Sequence, residues 1–169
     1  MKPEQIFEHE PVSQESEEKP GDNIVPYTEE YKDRVEKFYA VLRDESKKGE
    51  ITDSPDMETI PENFWVATNE ADEVIGTVGL DYAGNDIGYV KKMFVQTQMR
   101  GRGIGERLLG SSVECAKQKG YKKIFLAAMP KNTRAQKFYK KNGFKKAGKP
   151  ATDTIIFNEG AVFFEMELE

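Results

Sequence analysis

The chain has 169 residues, with 25 Lys and Arg set against 30 Asp and Glu for a formal charge of −5, and this length predicts a single domain. Its only histidine, His9, lies in a polar stretch and its only cysteine is Cys115, which argues against a histidine-activated nucleophile, a two-histidine metal site and a disulfide framework. No apolar run approaches the ~18 residues that span a bilayer and no basic-then-apolar leader opens the chain, so a soluble, cytoplasmic protein without a membrane partner is the expectation.

The charge is segregated. Residues 1–22 carry a net −5, residues 23–89 −10, residues 90–149 +15 and residues 150–169 −5. A long basic block inside an acidic chain concentrates polyanions near it. Residues 1–22, acidic and poor in apolar side chains, read as a mobile arm, leaving residues 23–169 as the folded domain. Ile24–Tyr27 reads as a short strand, and Thr28 as the N-cap of a helix from about 28 to 47 whose stripe is Tyr31, Val35, Phe38, Tyr39 and Leu42, closed by Gly49. Residues 51–62 contain Pro55 and Pro61 and allow at most a short helix.

The period then changes. Phe64–Thr68, Val74–Tyr82 and Ile87–Val95 alternate and are separated by turn-rich stretches, which predicts an antiparallel meander. Residues 106–119 read as a helix ended by Gly120, and Ile124–Met129 as a short buried strand, parallel to the third meander strand because a helix connects them. A second helix, Asn132–Asn142, is capped by Gly143; Phe144–Ala147 and Ala161–Leu168 are the final strands.

The chemistry concentrates where the third meander strand meets its helix. Gly101, Gly103 and Gly105 alternate with Arg100, Arg102 and Ile104. Glycines there let the chain bend and bring successive amides toward an anion, the helix N-terminus adds its unsatisfied N–H groups, and the arginines add full charges. The run is a candidate diphosphate cradle. It is not a P-loop, because no Gly-Lys-Ser/Thr closes it, and not a dinucleotide fingerprint, because Glu106 stands where that fingerprint needs its last glycine.

Arg100-x-x-Gly103-x-Gly105 after the Val-Lys-Lys-Met-Phe-Val strand, with Asn132-x-x-Ala135-x-x-Phe138-Tyr139-x-x-x-Gly143-Phe144 downstream, resembles the GNAT superfamily of acetyl-CoA-dependent N-acetyltransferases, from about Asn23 to Glu169. The resemblance implies an α+β fold: a mixed, mostly antiparallel sheet flanked by helices, with a central parallel strand pair that splays into a slot for the pantetheine arm. It implies acetyl-CoA as cosubstrate and no metal. Met93, Phe94 and Val95 would pair with the pantetheine through their backbones, and the amides of Arg100, Gly101, Arg102, Gly103, Ile104 and Gly105 would hold the pyrophosphate. The Val95 N–H resembles the family's oxyanion donor and Tyr139 its general acid. Asn132, on the helical face of Tyr139, is a candidate for the pantetheine as well as a plain N-cap.

Attack of an amine on a thioester also needs a proton acceptor, since an amine of pKa near ~10 is protonated at neutral pH. Many relatives start the third strand with a glutamate, but here that position is Tyr89. Asp81 is the candidate base and Asp86 the second. Acidic residues in the first half and the last twenty favour a cationic acceptor, a small molecule or a peptide. Phe64, Trp65, Phe157, Phe163 and Phe164 read as core rather than acceptor walls, and Cys115 as a small core residue. The alternatives are a catalytically silent acyl-CoA-binding module and a nucleic-acid-binding domain. The second is disfavoured because the aromatics of the basic block sit at core spacings. A monomer or homodimer fits equally.

Overall fold

The computed structural model describes residues 22–49, 55–152 and 155–169. The expected acidic arm therefore lies, apart from Asp22, outside the described residues, as do His9 and residues 51–54. In chain order the elements are β1 (Asn23–Pro26), a 3-10 turn (Glu29–Tyr31), α1 (Lys32–Lys47), β2 (Asn63–Thr68), β3 (Val74–Tyr82), β4 (Ile87–Val95), a second 3-10 turn (Thr97–Met99), α2 (Ile104–Gln118), β5 (Lys123–Ala128), α3 (Thr133–Lys141), β6 (Lys145–Ala147) and β7 (Val162–Glu167).

Seven strands form one sheet in the order β1-β2-β3-β4-β5-β7-β6, in which β4 and β5 run parallel and every other neighbouring pair is antiparallel. The expected mixed α+β sheet is therefore present, with the helix-connected strand pair at its centre. A parallel pair needs a crossover, and α2 supplies it.

Each sheet face is covered by a helix whose apolar stripe matches it. Val35, Phe38, Tyr39 and Leu42 of α1 pack with Phe64, Val66 and Val74. Leu108, Leu109 and Ala116 of α2 pack with Val78, Leu80, Val90, Ile124 and Leu126. A third cluster, Ala83, Phe125 and Phe163, has Tyr89 and Phe157 packed against it. Cys115 is half-buried on α2 against the second cluster.

Two helix starts differ from expectation. The Thr28 hydroxyl makes no capping bond; instead the Tyr31 N–H donates to the Thr28 carbonyl at 2.9 Å, so a 3-10 turn precedes α1. α2 begins at Ile104 rather than 106, because Gly103, at φ +82°, ends the loop in a left-handed conformation that glycine adopts without a Cβ clash. The remaining strand ends shift by about one residue, within the fraying of element ends.

Candidate active site

β4 and β5 pair only over Ile87–Tyr89 and Lys123–Phe125. Beyond those residues β5 stays in register with β7 as far as Ala128, while β4 stays with β3 as far as Val95. The two central strands thus diverge. Backbone polar groups facing a gap must find another partner, so an opened parallel pair is itself a place for an extended ligand to bond.

A bulge in β4 accompanies the divergence. Gly79 opposes Lys91 and Thr77 opposes Phe94, so β4 carries one extra residue there, and Lys92 sits at φ +50°. Such a bulge bends its strand and increases the local twist. The strained residue is held firmly: the Thr77 hydroxyl donates to the Lys92 carbonyl at 2.7 Å, and Lys92 Nζ donates to the Asp56 carbonyl at 2.6 Å. Tyr39 Oη lies 3.0 Å from Thr77 Oγ1. Because the threonine hydroxyl spends its single hydrogen on Lys92, the tyrosine is the donor.

The Gln96 N–H donates to the Ile75 carbonyl at 2.8 Å. On an extended strand successive N–H groups alternate, so the Val95 N–H faces away from β3, toward the opening.

A cavity of about 450 Å³ fills that opening, lined by Met93, Phe94 and Val95 on one side and by the loop from Arg100 into α2 on the other. Gly101 and Gly103 have φ of +80° and +82° and nothing within 4 Å of an added Cβ, so both face open space. No side chain caps α2, which leaves its first amides to whatever enters. Arg100 and Arg134 line the same cavity. Burial first, then the neighbouring Arg134, push the Arg100 guanidinium below its ordinary pKa, with Glu45 opposing. Two neighbouring arginines are the electrostatic mark of an anion site. The cradle fits a diphosphate: open amides, an uncapped helix start and two neighbouring arginines, with Glu106 the one carboxylate among the described residues of the wall.

α3 brings Asn132 and Tyr139 to the wall of this cavity. The Asn132 Oδ1 accepts the Ala135 N–H at 3.1 Å, which is the N-cap arrangement. Tyr139 is 8 % exposed, its ring against Phe138, Phe144 and Phe164. A second cavity of about 220 Å³ lies beyond it, and Met93, Phe94, Ala127, Ala128 and Tyr139 line both. The two cavities therefore meet at Tyr139.

The candidate bases lie elsewhere. Asp81 accepts from Lys91 Nζ at 2.7 Å and from the Glu62 N–H at 2.7 Å, and lines neither cavity. It stands opposite Tyr89, six residues from Val95, on the order of 15–20 Å by strand rise. Its partner Lys91 lines the second cavity, while Asp81 itself is in neither wall. Asp86 is further still, in the turn before β4, 3.4 Å from Lys122. Phe157 packs against the third core cluster, as expected, and also lines the second cavity with Tyr89. Lys131 and Arg134, in the first cavity's wall, were visible only as members of the basic block.

The acetyltransferase (GNAT) domain family matches residues 61–146, half of the chain. A GNAT-family acetyltransferase of Staphylococcus aureus is 28% identical with a TM-score of 0.74, covering 88% of this chain and 99% of that one. A Bacillus anthracis protein named for streptothricin acetyltransferases, solved with acetyl coenzyme A, shares the fold at 24% identity and a TM-score of 0.56, over 66% of this chain and 65% of that one. An uncharacterized N-acetyltransferase of Methanocaldococcus jannaschii is 35% identical over 60 residues, 36% of this chain. The match covers 26% of that protein, so the chain spans about a quarter of this curated relative. The diverging strands, the glycine cradle and the family match over half the chain converge: the chain belongs to the GNAT acetyltransferase family.

Proposed function

We propose that the protein moves an acetyl group from acetyl-CoA to a primary amine by direct attack, with no covalent enzyme intermediate. The observation that carries this reading is the meeting of the two cavities at Tyr139, one with an anion cradle at its far end and the other open to a second reactant.

The amides from Arg100 to Gly105 hold the pyrophosphate of the cosubstrate, with Arg100 and Arg102 adding charge. The backbones of Met93, Phe94 and Val95 extend the pantetheine along β4. Asn132 holds α3 in register through its cap and reaches toward the same arm. The Val95 N–H receives the oxyanion as the tetrahedral intermediate forms, a donor fixed before the reaction and so costing no reorganisation. Tyr139 protonates the departing thiolate, as a phenol near a developing negative sulfur can. The family match and the orientation of Val95 support these assignments.

Calorimetry with acetyl-CoA and a thiol-release assay across amines test the reading. Micromolar binding with amine-dependent thiol release is the expected result. Binding without release for any amine would leave an acyl-CoA-binding module, and no binding would remove the assignment altogether.

A further inference from the structure

The side chains lining the second cavity are mostly apolar or aromatic, beside Lys91, Lys92 and Asn158. Besides Phe94 and Tyr139, its aromatic part holds Tyr89 and Phe157, backed by Phe125: Tyr89 stacks on Phe125 at 4.9 Å and 15°, and Phe157 meets both edge-on at 6.0 and 5.9 Å. Ala127, Ala161 and the fully exposed Ile156, at 98 %, continue the apolar surface. Among the described residues lining it there is no carboxylate. The charged groups in the wall are Lys91 and Lys92. Lys91 is paired with Asp81 at 2.7 Å and Lys92 with Asp56 at 3.4 Å. Nearby Glu165 is paired with Lys123 at 3.4 Å. Among the described residues, Asp81, Asp56 and Glu165 are thus bonded to lysines and no acid lines the cavity, so no described group here attracts a cationic body.

Resting on the acetyltransferase reading, we infer that the acceptor is a small primary amine carried on an uncharged aromatic or aliphatic body, seated against Tyr89 and Phe157, and not a polyamine or aminoglycoside. The size agrees. About 220 Å³ is below the roughly 300–1,000 Å³ of sites for drug-sized ligands. Burying a second ammonium beside Lys91 with no carboxylate partner is unfavourable, whereas an aromatic ring gains both burial and an edge or stacking contact.

The same wall explains how the reaction proceeds without a carboxylate base. An amine that arrives neutral forms the C–N bond to the acetyl carbonyl, and the C–S bond breaks as the tetrahedral intermediate collapses. One of its N–H protons is lost as the coenzyme sulfur gains one from Tyr139, which the proton from nitrogen restores through solvent. The balance needs no further acceptor. An α-amine, with pKa about 7.7–8.0, supplies far more neutral form at pH 7.5 than an alkylamine near ~10.

The test compares phenylalanine amide, lysine amide and spermidine in the thiol-release assay on the full chain. Phenylalanine amide is expected to give a kcat/KM about tenfold or more above the other two. Phe157→Ala lowers that value about tenfold and leaves the acetyl-CoA Kd from calorimetry unchanged. Ile156→Asp, at a position too exposed to affect folding, raises lysine amide relative to phenylalanine amide. Equal or better use of lysine amide or spermidine by the wild type overturns the inference, as does an unchanged ratio in both variants or failure of phenylalanine amide to react. If the wild type binds acetyl-CoA and acetylates only the cationic amines, this inference alone falls. If it does not bind acetyl-CoA, the acetyltransferase reading falls first.

Discussion

The Arg100 Nε–H donates to the carbonyl of Val95 at 3.2 Å, tying the first residue of the phosphate cradle to the last residue of β4. One side chain therefore links the two ends of the proposed coenzyme site, and the side chain that adds charge to the loop also steadies the strand end that presents the Val95 N–H. Arg100→Lys keeps a positive charge and loses the planar fork that reaches both. Coenzyme affinity is expected to fall about tenfold by calorimetry, with a drop in kcat beyond it. An unchanged kcat with the same Kd loss would mean that the link does not steady Val95.

Gly103 stands at φ +82° as the residue before α2, with open space where a Cβ would go. Gly103→Ala costs about 1–2 kcal/mol of backbone strain and weakens acetyl-CoA binding several-fold. Gly103→Glu adds a carboxylate to an anion cradle and abolishes measurable binding while the melting transition remains cooperative. Calorimetry and circular dichroism on the two variants check the gradation.

Tyr139→Phe removes one oxygen from a residue that is 8 % exposed and lies where both cavities meet. Affinity for acetyl-CoA is expected to hold and thiol release to slow by about 10²-fold, the lower end for a positioned acid. Normal turnover in this variant would take the proton from Tyr139 and give it to solvent. Asp81→Asn, by contrast, is expected to leave the shape of the pH–rate profile unaltered, because Asp81 is engaged with Lys91 and the Glu62 N–H and lines neither cavity.

The bulge at Lys92 rests on a buried chain from Tyr39 through Thr77 to the Lys92 carbonyl. Burial raises the Tyr39 phenol well above its ordinary pKa, and the bond to Thr77 only partly offsets this, so the phenol stays protonated and donating across the usable pH range. Thr77→Val leaves that donor buried without its acceptor, at a cost of about 2 kcal/mol. A fall in Tm of about 4–8 °C is expected for a chain of this size. Because the chain also shapes β4 where it leaves β5, kcat should fall in the same variant. A stable, fully active Thr77→Val would mean that the strand bends without it.

Burial raises the Cys115 thiol above its ordinary pKa, with Lys119 opposing and Glu62 adding to the rise. At pH 8 the native thiol then holds less thiolate than a free cysteine and reacts more slowly with disulfide reagents than the same residue in urea. Equal rates would contradict the burial effect. Cys115→Ser is expected to leave acetyl-CoA-dependent thiol release unaffected, since the side chain packs on α2 outside both cavities.

Local pattern made much of this protein legible from its residues. Alternation marks β2, β3 and β4, helical spacing marks α1 and α2, and the glycine-arginine run marks an open loop, because period and turn chemistry are properties of neighbouring residues. The boundary of α2 was less legible, since whether Gly103 takes a left-handed conformation depends on where the loop must lead. The divergence of β4 from β5 came only from resemblance to a family, and the bulge that accompanies it is written in no motif. It depends on Thr77, Lys92 and Asp56 meeting across distant segments.

The acceptor side shows the limit most plainly. Net charge along the chain suggests a cationic acceptor and strand position suggests Asp81 as base, but neither shows how folding sets Asp81 against Lys91, Asp56 against Lys92 and Glu165 against Lys123. Phe157 lies outside any strand and meets Tyr89 and Phe125 from elements distant in the chain, so no local pattern placed it at the cavity. Sequence alone determined which residues can form strands, helices and an anion-holding loop. Tertiary structure decided which charges are paired and which surfaces are left to line a cavity, because pairing and burial depend on distances between segments that no local pattern encodes.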